Sequence, residues 1–290
     1  MGGTVLAGGV EPERNRERAL AHFKRDCPAC SSSNRRVIGE LPVTHSGEFS
    51  QSIFRLVECD CSLIYLTPLP TESDFAQLYQ ASTQFDSPEY VDERRVVIVL
   101  EYMANCLRSL IEGRYSGNRA LKILEVGAGL AWMCRAAKEM GLEVETVAQD
   151  VTTECREKCP WVDRYIADSV DAEPFDALKP FDLISATHVF EHVPDPVNFL
   201  GRLRRLIKPS GIVFLTMPHR PHLWDGSIEG WSQYTYNHVP AHLQYFSRSS
   251  LEAVARKAGF HVRHWDASHE DGQALEAHLV PSDRIAEDSP

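Results

Sequence analysis

Two close pairs of cysteines are the first residues in this chain whose types and spacing could do chemistry. They are Cys27-Pro28-Ala29-Cys30 and, after 28 intervening residues, Cys59-Asp60-Cys61. Four thiolates arranged this way match the ligand set of a tetrahedral structural zinc ion. A metal would stabilise a stretch that otherwise has few long apolar runs. The second pair is Cys-x-Cys, which leaves room for His45 as a replacement ligand or for a degenerate site that has lost its metal. A second concentration is Thr187-His188-Val189-Phe190-Glu191-His192. His-x-x-Glu-His on a helix is the signature of one class of zinc peptidase. Here the segment begins at the end of a strand-like run and is stopped by Pro194 and Pro196, so the peptidase reading is set aside. A third is the turn Gly127-Ala128-Gly129, where glycines let the backbone bend sharply and let a ligand approach it closely. Trp132 occupies the third position of a nicotinamide-type Gly-x-Gly-x-x-Gly and spoils that fingerprint. Acids recur instead: Glu125 before the turn, Asp150 at the end of the next strand and Asp168 after the third. Such a trio suits a ligand with an amino group, a ribose and an adenine, and suits a pyrophosphate poorly.

These residues need elements to position them. Val96, Val97, Leu100, Met103, Ala104, Leu107 and Leu110 recur at helical spacing and predict a helix from Glu93 to Glu112. From residue 121 onward, short apolar runs alternate with helical stretches. Strands are expected near 121–126, 144–148, 165–167, 181–186, 211–217, 260–265 and 274–279, with helices near 131–140, 196–207 and 251–258. That alternation predicts an α/β fold with a doubly wound, mostly parallel seven-stranded sheet. Residues 1–26 are expected to be a flexible charged arm, 27–92 a small metal-binding module, 93–281 the main domain and 282–290 a mobile tail. Cys106 and Cys134 fall on predicted helices as core residues, and Cys155 and Cys159 receive no role. The aromatic and polar stretch through Trp224, Trp231, Tyr234, Tyr236 and His238 reads as a small-molecule pocket or lid, or as a surface loop over a satellite cluster.

Taken together, Leu124–Ala131, Asp150-Val151-Thr152, Ala167-Asp168, Phe181–Ile184, Glu191–Pro196, Leu206–Gly211, His242–Ser247 and Ala258-Gly259-Phe260 resemble class I S-adenosylmethionine-dependent methyltransferases. The resemblance covers about residues 90–280 and implies a Rossmann-like methyltransferase fold with S-adenosyl-L-methionine as cofactor. It implies that Gly127 and Gly129 lie against the methionine part, that Glu125 organises the turn, that Asp150 holds the ribose hydroxyls and that Asp168 faces the adenine amino group. Gln149 competes with Asp150 for the ribose role, and Ala131 replaces the family's usual third glycine. Tyr79 and Tyr90 would help close the cofactor site. His188, Glu191, His192 and His242 would converge at the substrate mouth as catalytic residues. Similar constellations hold a divalent metal in ubiquinone-pathway O-methyltransferases and small-RNA 3′-end methyltransferases, with Glu where this chain has His188. That exchange disfavours Mg²⁺ and favours Zn²⁺, Fe²⁺ or Mn²⁺ in a second metal site. The bland alternative is a structural turn with His192 bonded to backbone. Cys61–Pro68 resembles the zinc-ribbon-like module ahead of some small-molecule methyltransferases, deoxysugar C-methyltransferases among them, and so implies a structural zinc ion on Cys27, Cys30, Cys59 and Cys61.

Composition bounds the partners. The 290 residues carry 30 Lys and Arg against 41 Asp and Glu, a net charge of −11. An acidic excess argues against a nucleic-acid backbone as main partner. Arg202, Arg204, Arg205 and Lys208 form a local basic stripe, which a solvated helix face explains more simply. Apolar runs fall far short of the ~20 residues of a membrane span, and the amino-terminal residues lack a secretory signal. A cytoplasmic methyltransferase is therefore expected, acting on a small metabolite with O-methylation favoured over C- or N-methylation. The alternatives are an RNA or protein methyltransferase that uses the cysteine module for recognition, and a non-catalytic partner that binds the cofactor.

Overall fold

The computed structural model describes residues 25–80, 92–112, 120–170, 174–178, 180–220, 224–268 and 274–282. Nearly all of the expected arm and tail, Tyr90 and the side chain of Tyr79 lie outside the described residues.

The main sheet has seven strands: β4 (Leu121–Val126), β5 (Val144–Asp150), β6 (Arg164–Ala167), β7 (Phe181–Thr187), β8 (Ile207–Pro218), β10 (Phe260–Asp266) and β11 (Ala274–Pro281). Their spatial order is β10-β11-β8-β7-β4-β5-β6. Pairings β4–β5, β5–β6, β4–β7 and β7–β8 are parallel, and β11 runs antiparallel to both neighbours. The order reverses at β4, and at such a switch point a crevice opens beyond the carboxyl ends of the strands. This is the doubly wound sheet that the alternation of elements predicts, and its order agrees with the Rossmann-like methyltransferase fold that the resemblance implies.

Period-two alternation divides the core. Ile123, Leu183, Ile212 and Phe214 point into one layer, with Met103, Leu107 and Leu110 of a helix at Glu93–Ile111 and Met133 of a helix at Trp132–Glu139. Their neighbours Leu124, Ile184, Val213 and Leu215 point into the other, against Leu200 and Leu203 of the helix Pro196–Leu206 and Leu251 and Val254 of Arg248–Lys257. In chain order the helices are α1 (Glu72–Gln80), α2 (Glu93–Ile111), α3 (Trp132–Glu139), α4 (Pro174–Leu178), α5 (Pro196–Leu206), α6 (Ile228–Ser232) and α7 (Arg248–Lys257). Asp92 caps α2 by accepting from the amides of Arg94 and Arg95, and Asp195 caps α5 at Asn198.

Strand β8 starts at Ile207, four residues before the expected Gly211. Ile207 pairs with Phe181, the register then shifts, and Ile212 pairs with Leu183. Gly211 fits there because a Cβ would lie 2.9 Å from the carbonyl oxygen of Asp182 and 2.6 Å from Ile207. The buried Asp182 carboxylate receives Lys208 Nζ at 2.8 Å and the amide of Lys122 at 3.0 Å.

The amino-terminal strands β1 (Arg35–Pro42), β2 (Ile53–Cys59) and β3 (Ile64–Thr67) form an antiparallel sheet completed by β9 (Gln244–Tyr245). The stretch at 27–92 thus takes a strand from far along the chain. Trp231 and Tyr234 are buried with Leu41, Phe54, Leu56 and Leu66 in a satellite core. For Trp231 and Tyr234 this is the satellite cluster of the surface-loop alternative, and it ties the module to the main domain.

Candidate active site

The turn after β4 is held from beneath. Gly127 donates its amide to Gln149 Oε1 at 3.2 Å, Ala128 to the Gln149 carbonyl at 2.8 Å and Gly129 to Asp150 Oδ2 at 3.0 Å. All three amides are therefore spent on β5, and the turn offers a wall rather than an anion cradle. Gly127 and Gly129 have φ of +58° and +47°, values that favour glycine. A Cβ on Gly127 would stand 2.4 Å from Val189 Cγ2, so the turn packs directly on the His188–His192 segment.

Glu125 is buried beneath this turn. Its oxygens accept from the amides of Met133 at 3.2 Å and Cys134 at 3.0 Å, capping the amino end of α3. Burial pushes its carboxyl up to about 7 even though both amides favour the ionised form. Gln149 and Asp150 separate by strand alternation. Gln149 is 3% exposed and its amide is committed between the Gly127 amide and the Asp168 carbonyl, at 3.2 and 2.6 Å. Asp150 lines the cavity. It accepts from Gly129, from the Thr152 amide at 3.1 Å and from the Thr152 hydroxyl at 3.4 Å, and of a carboxylate's roughly four acceptor sites about one is left for a further donor. Asp168 is exposed at the rim, where its carboxylate accepts from the Ser169 amide at 2.7 Å; Ser169 and Val170 line the cavity beside it.

All four expected catalytic residues converge, with Glu191 at the centre. The short 3₁₀ turn Phe190–His192 places Glu191 at 0% exposure, and His242 reaches it from the segment before β9. One ligand atom each from Glu191, His192 and His242 lie within 4.8 Å of one another. Neither Glu191 oxygen receives a well-aligned hydrogen bond. Its neighbours are His188 Nδ1 at 3.3 Å and His192 Nε2 at 3.9 Å from Oε1. Burial pushes this carboxyl up, and the contact with His188, together with the charge the neighbouring imidazoles carry when protonated, outweighs it and brings the group down to about 2. His192 and His242 donate from Nδ1 to the carbonyls of Ala241 at 2.9 Å and Tyr236 at 2.8 Å. These bonds select the neutral tautomer whose lone pair sits on Nε2, the arrangement of metal-ligating or proton-accepting histidines. Burial drives His242 down to about 3, so it is neutral near pH 7. His188, at a φ of +52°, stays more exposed and stacks on Tyr236 at 5.7 Å.

Above both clusters lies a cavity of about 1230 Å³. This exceeds the ~300–1,000 Å³ of ordinary small-molecule sites, so it has room for a cofactor and an acceptor together. Its walls include Tyr236 and His238 of the insert, in line with the pocket reading of that stretch, and residues with no motif in the sequence: Phe75 and Leu78 of α1 and Arg95 and Tyr102 of α2. The only sequence signal for Phe75 and Leu78 is an i, i+3 apolar repeat.

The cysteine pairs also meet. Cys27 Sγ stands 3.5 Å from Cys61 Sγ and Cys30 Sγ 3.4 Å from Cys59 Sγ, and all four sulfurs lie within 4.8 Å of one another as free thiols. Thiolates at ~2.3 Å from a tetrahedral zinc ion are about 3.8 Å apart, so the set fits that metal with small adjustments. His45 stands elsewhere, with Nδ1 3.0 Å from the Val239 carbonyl and its ring 6.1 Å from that of His238.

A family model described as a methyltransferase domain matches residues 99–264. Ubiquinone biosynthesis O-methyltransferases are among the relatives. The Alkalilimnicola ehrlichii protein is 29% identical over 175 residues, covering 57% of this chain and 67% of that one. The Rhodopseudomonas palustris protein is 29% identical over 103 residues, covering 34% and 41%. The Actinobacillus pleuropneumoniae protein is 28% identical over 129 residues, covering 41% and 55%. The chain thus spans about two fifths to two thirds of the length of these relatives. Among solved structures, the Burkholderia thailandensis 1,6-didemethyltoxoflavin-N1-methyltransferase, with its ligand and S-adenosylhomocysteine, is 17% identical with a TM-score of 0.49, over 82% of this chain and 100% of that one.

Proposed function

The chain belongs to the methyltransferase domain family matched by its residues 99–264 and is an S-adenosylmethionine-dependent methyltransferase, and from that premise we propose that it methylates a hydroxyl group of a small metabolite. The observation that carries the hydroxyl assignment is the buried Glu191 carboxylate, ionised and poorly hydrogen-bonded, behind His192 and His242 at the cavity wall. A hydroxyl acceptor must lose a proton, and this arrangement is built to take one.

When bound, the cofactor supplies a methyl group activated by the sulfonium charge. Asp150 would accept from a ribose hydroxyl at its remaining acceptor site. The Gly127–Gly129 wall would border the methionine end, and Asp168 at the rim would accept from the adenine amino group. Gln149 supports this set from below by fixing Gly127. His192 lines the cavity and would accept the acceptor's proton at Nε2. Glu191, 3.9 Å away, would stabilise the imidazolium so formed. Its own oxygens are closed off from solvent, which makes it a positioning and charge-stabilising residue.

The same donors fit a divalent cation. Two imidazole nitrogens and one carboxylate converge, and each imidazole is oriented by a backbone carbonyl. A cation held by Glu191, His192 and His242 would acidify a hydroxyl bound to it, and the two nitrogens favour Zn²⁺, Fe²⁺ or Mn²⁺ over Mg²⁺. The cysteine set would hold a structural zinc ion that ties the residue-27 knuckle to β2. A small acceptor also agrees with the fate of the basic stripe. Arg202 is buried against Asp176 and the Val170 carbonyl, and Lys208 is bound to Asp182.

The test is transfer from methyl-labelled cofactor to a panel of phenol, catechol, amine and carbon acceptors. Transfer to hydroxyls is expected, with His192→Ala losing at least ~100-fold in kcat while binding S-adenosylhomocysteine as before. Chelation followed by metal addition separates the proton-accepting role from the cation-binding one. Transfer confined to amine or carbon acceptors, or full activity in His192→Ala, would overturn the assignment.

A further inference from the structure

A second concentration of imidazole and carboxylate groups lies on the β10–β11 hairpin, away from the glycine turn and from Glu191. His264 pairs in register with His278, and Glu276 lies two residues before His278 on the same face of β11. A register irregularity between Val262 and His264 re-aims the strand at this point. The two imidazoles lie 4.5 Å apart between centroids and are tilted by 33°. Both direct Nε2 at one oxygen, Glu276 Oε1, His278 from 2.7 Å and His264 from 3.9 Å.

We propose that His264, Glu276 and His278 form a divalent transition-metal site, best matched to Zn²⁺. One ligand atom from each lies within 4.8 Å of the others. Ligands at ~2.0–2.1 Å from a tetrahedral zinc ion stand about 3.3–3.4 Å apart, so side-chain adjustments of around an ångström complete the set. Two imidazoles and a carboxylate suit zinc and other borderline metals better than Mg²⁺ or Ca²⁺. The geometry also supplies an orienting shell. Glu276 Oε2 accepts from the Tyr102 hydroxyl at 3.1 Å and lies 3.5 Å from Cys106 Sγ, both on α2. His278 is 8% exposed, which fixes its ring, while the His264 side chain is 46% exposed and leaves an entry path for the ion and a coordination position for water. Tyr102 lines the cavity, so the site adjoins the back of its wall.

The test uses the full chain and Co²⁺ as the probe, because cobalt bound by nitrogen and oxygen gives d–d absorption without the thiolate charge-transfer band of the cysteine site. His264→Ala removes a half-exposed ligand, and His278 keeps its contacts with Phe214 and Glu276. His242→Ala removes the competing set at Glu191. Equilibrium dialysis of wild type, His264→Ala, His242→Ala and the double variant counts equivalents bound. His264→Ala is expected to bind one equivalent fewer, or to bind it at least tenfold more weakly, with the same deficit in the His242→Ala background. The Zn²⁺-induced rise in Tm is expected to shrink in His264→Ala. Unchanged stoichiometry, affinity and Zn²⁺-induced Tm shift in His264→Ala would overturn the proposal.

Discussion

Replacing Gly127 by alanine should damage the molecule through one identifiable contact. The new Cβ would fall 2.4 Å from Val189 Cγ2 and 3.2 Å from Cγ1, at a φ of +58°. Left-handed backbone costs a non-glycine residue roughly 1–2 kcal/mol. Forcing a methyl group into occupied space costs about 1–3 kcal/mol more. The total is roughly 2–5 kcal/mol. The two parts separate because only the second depends on Val189. In a Val189→Ala background the clash disappears and the backbone strain remains, so the Gly127→Ala penalty should fall to roughly 1–2 kcal/mol. Urea denaturation of wild type, the two single variants and the double variant measures the coupling, expected at about 1–3 kcal/mol in favour of the double variant. Titration with S-adenosylhomocysteine on the same four proteins should show weaker binding in Gly127→Ala and partial recovery in the double variant. Additive penalties, with coupling below about 0.5 kcal/mol, would refute the claim that the turn and the His188–His192 segment share this contact.

The Glu125 carboxyl binds its proton more tightly in the folded chain, at about 7 against an ordinary 4.5. Its stabilising contribution is complete below pH 4.5 and lost as pH rises towards 7, so the stability of wild type relative to Glu125→Gln should fall across that window in denaturation series. His242 acts in the opposite direction: its folded value near 3 gives stability that is present above the unfolded value of 6.5 and lost as pH falls from there towards 3. The difference between wild type and His242→Gln should therefore rise with pH over that range. Cys59→Ser should lower bound zinc by one equivalent and reduce Tm, measured by elemental analysis and calorimetry.

Local pattern carried much of the fold. β4 and β7 carry apolar residues on both faces, interrupted at Lys122, Glu125, Asp182, Ser185 and Thr187, because both faces of a central parallel strand are covered, and such runs are visible without knowing their partners. The glycine turn and the acid at the end of β5 were legible for a similar reason, since strand, turn and acid follow one another closely. The choice between Gln149 and Asp150 was not, because adjacent residues point to opposite faces and a shift of one position exchanges them. Asp168 follows the pattern of acids, yet it stands at the rim where Ser169 and Val170 form the lining. Long-range pairing left no local mark. The two residues of β9 pair with β3 about 180 positions earlier, and Phe75 and Leu78 reach the cavity from a helix with no motif. The basic stripe was legible only as charge; the commitment of Arg202 to Asp176 and of Lys208 to Asp182 depends on where the chain returns.

The most direct measurement of the central claim is calorimetric titration of S-adenosylhomocysteine into wild type and Asp150→Asn. The substitution keeps the size of the side chain and an oxygen acceptor for the Gly129 amide, while removing the charge offered to the ribose. Charge-assisted hydrogen bonds contribute about 1.5–3 kcal/mol, so micromolar binding by wild type should weaken roughly 10- to 100-fold in the variant. Absence of binding by wild type, or equal affinity in Asp150→Asn, would contradict the account.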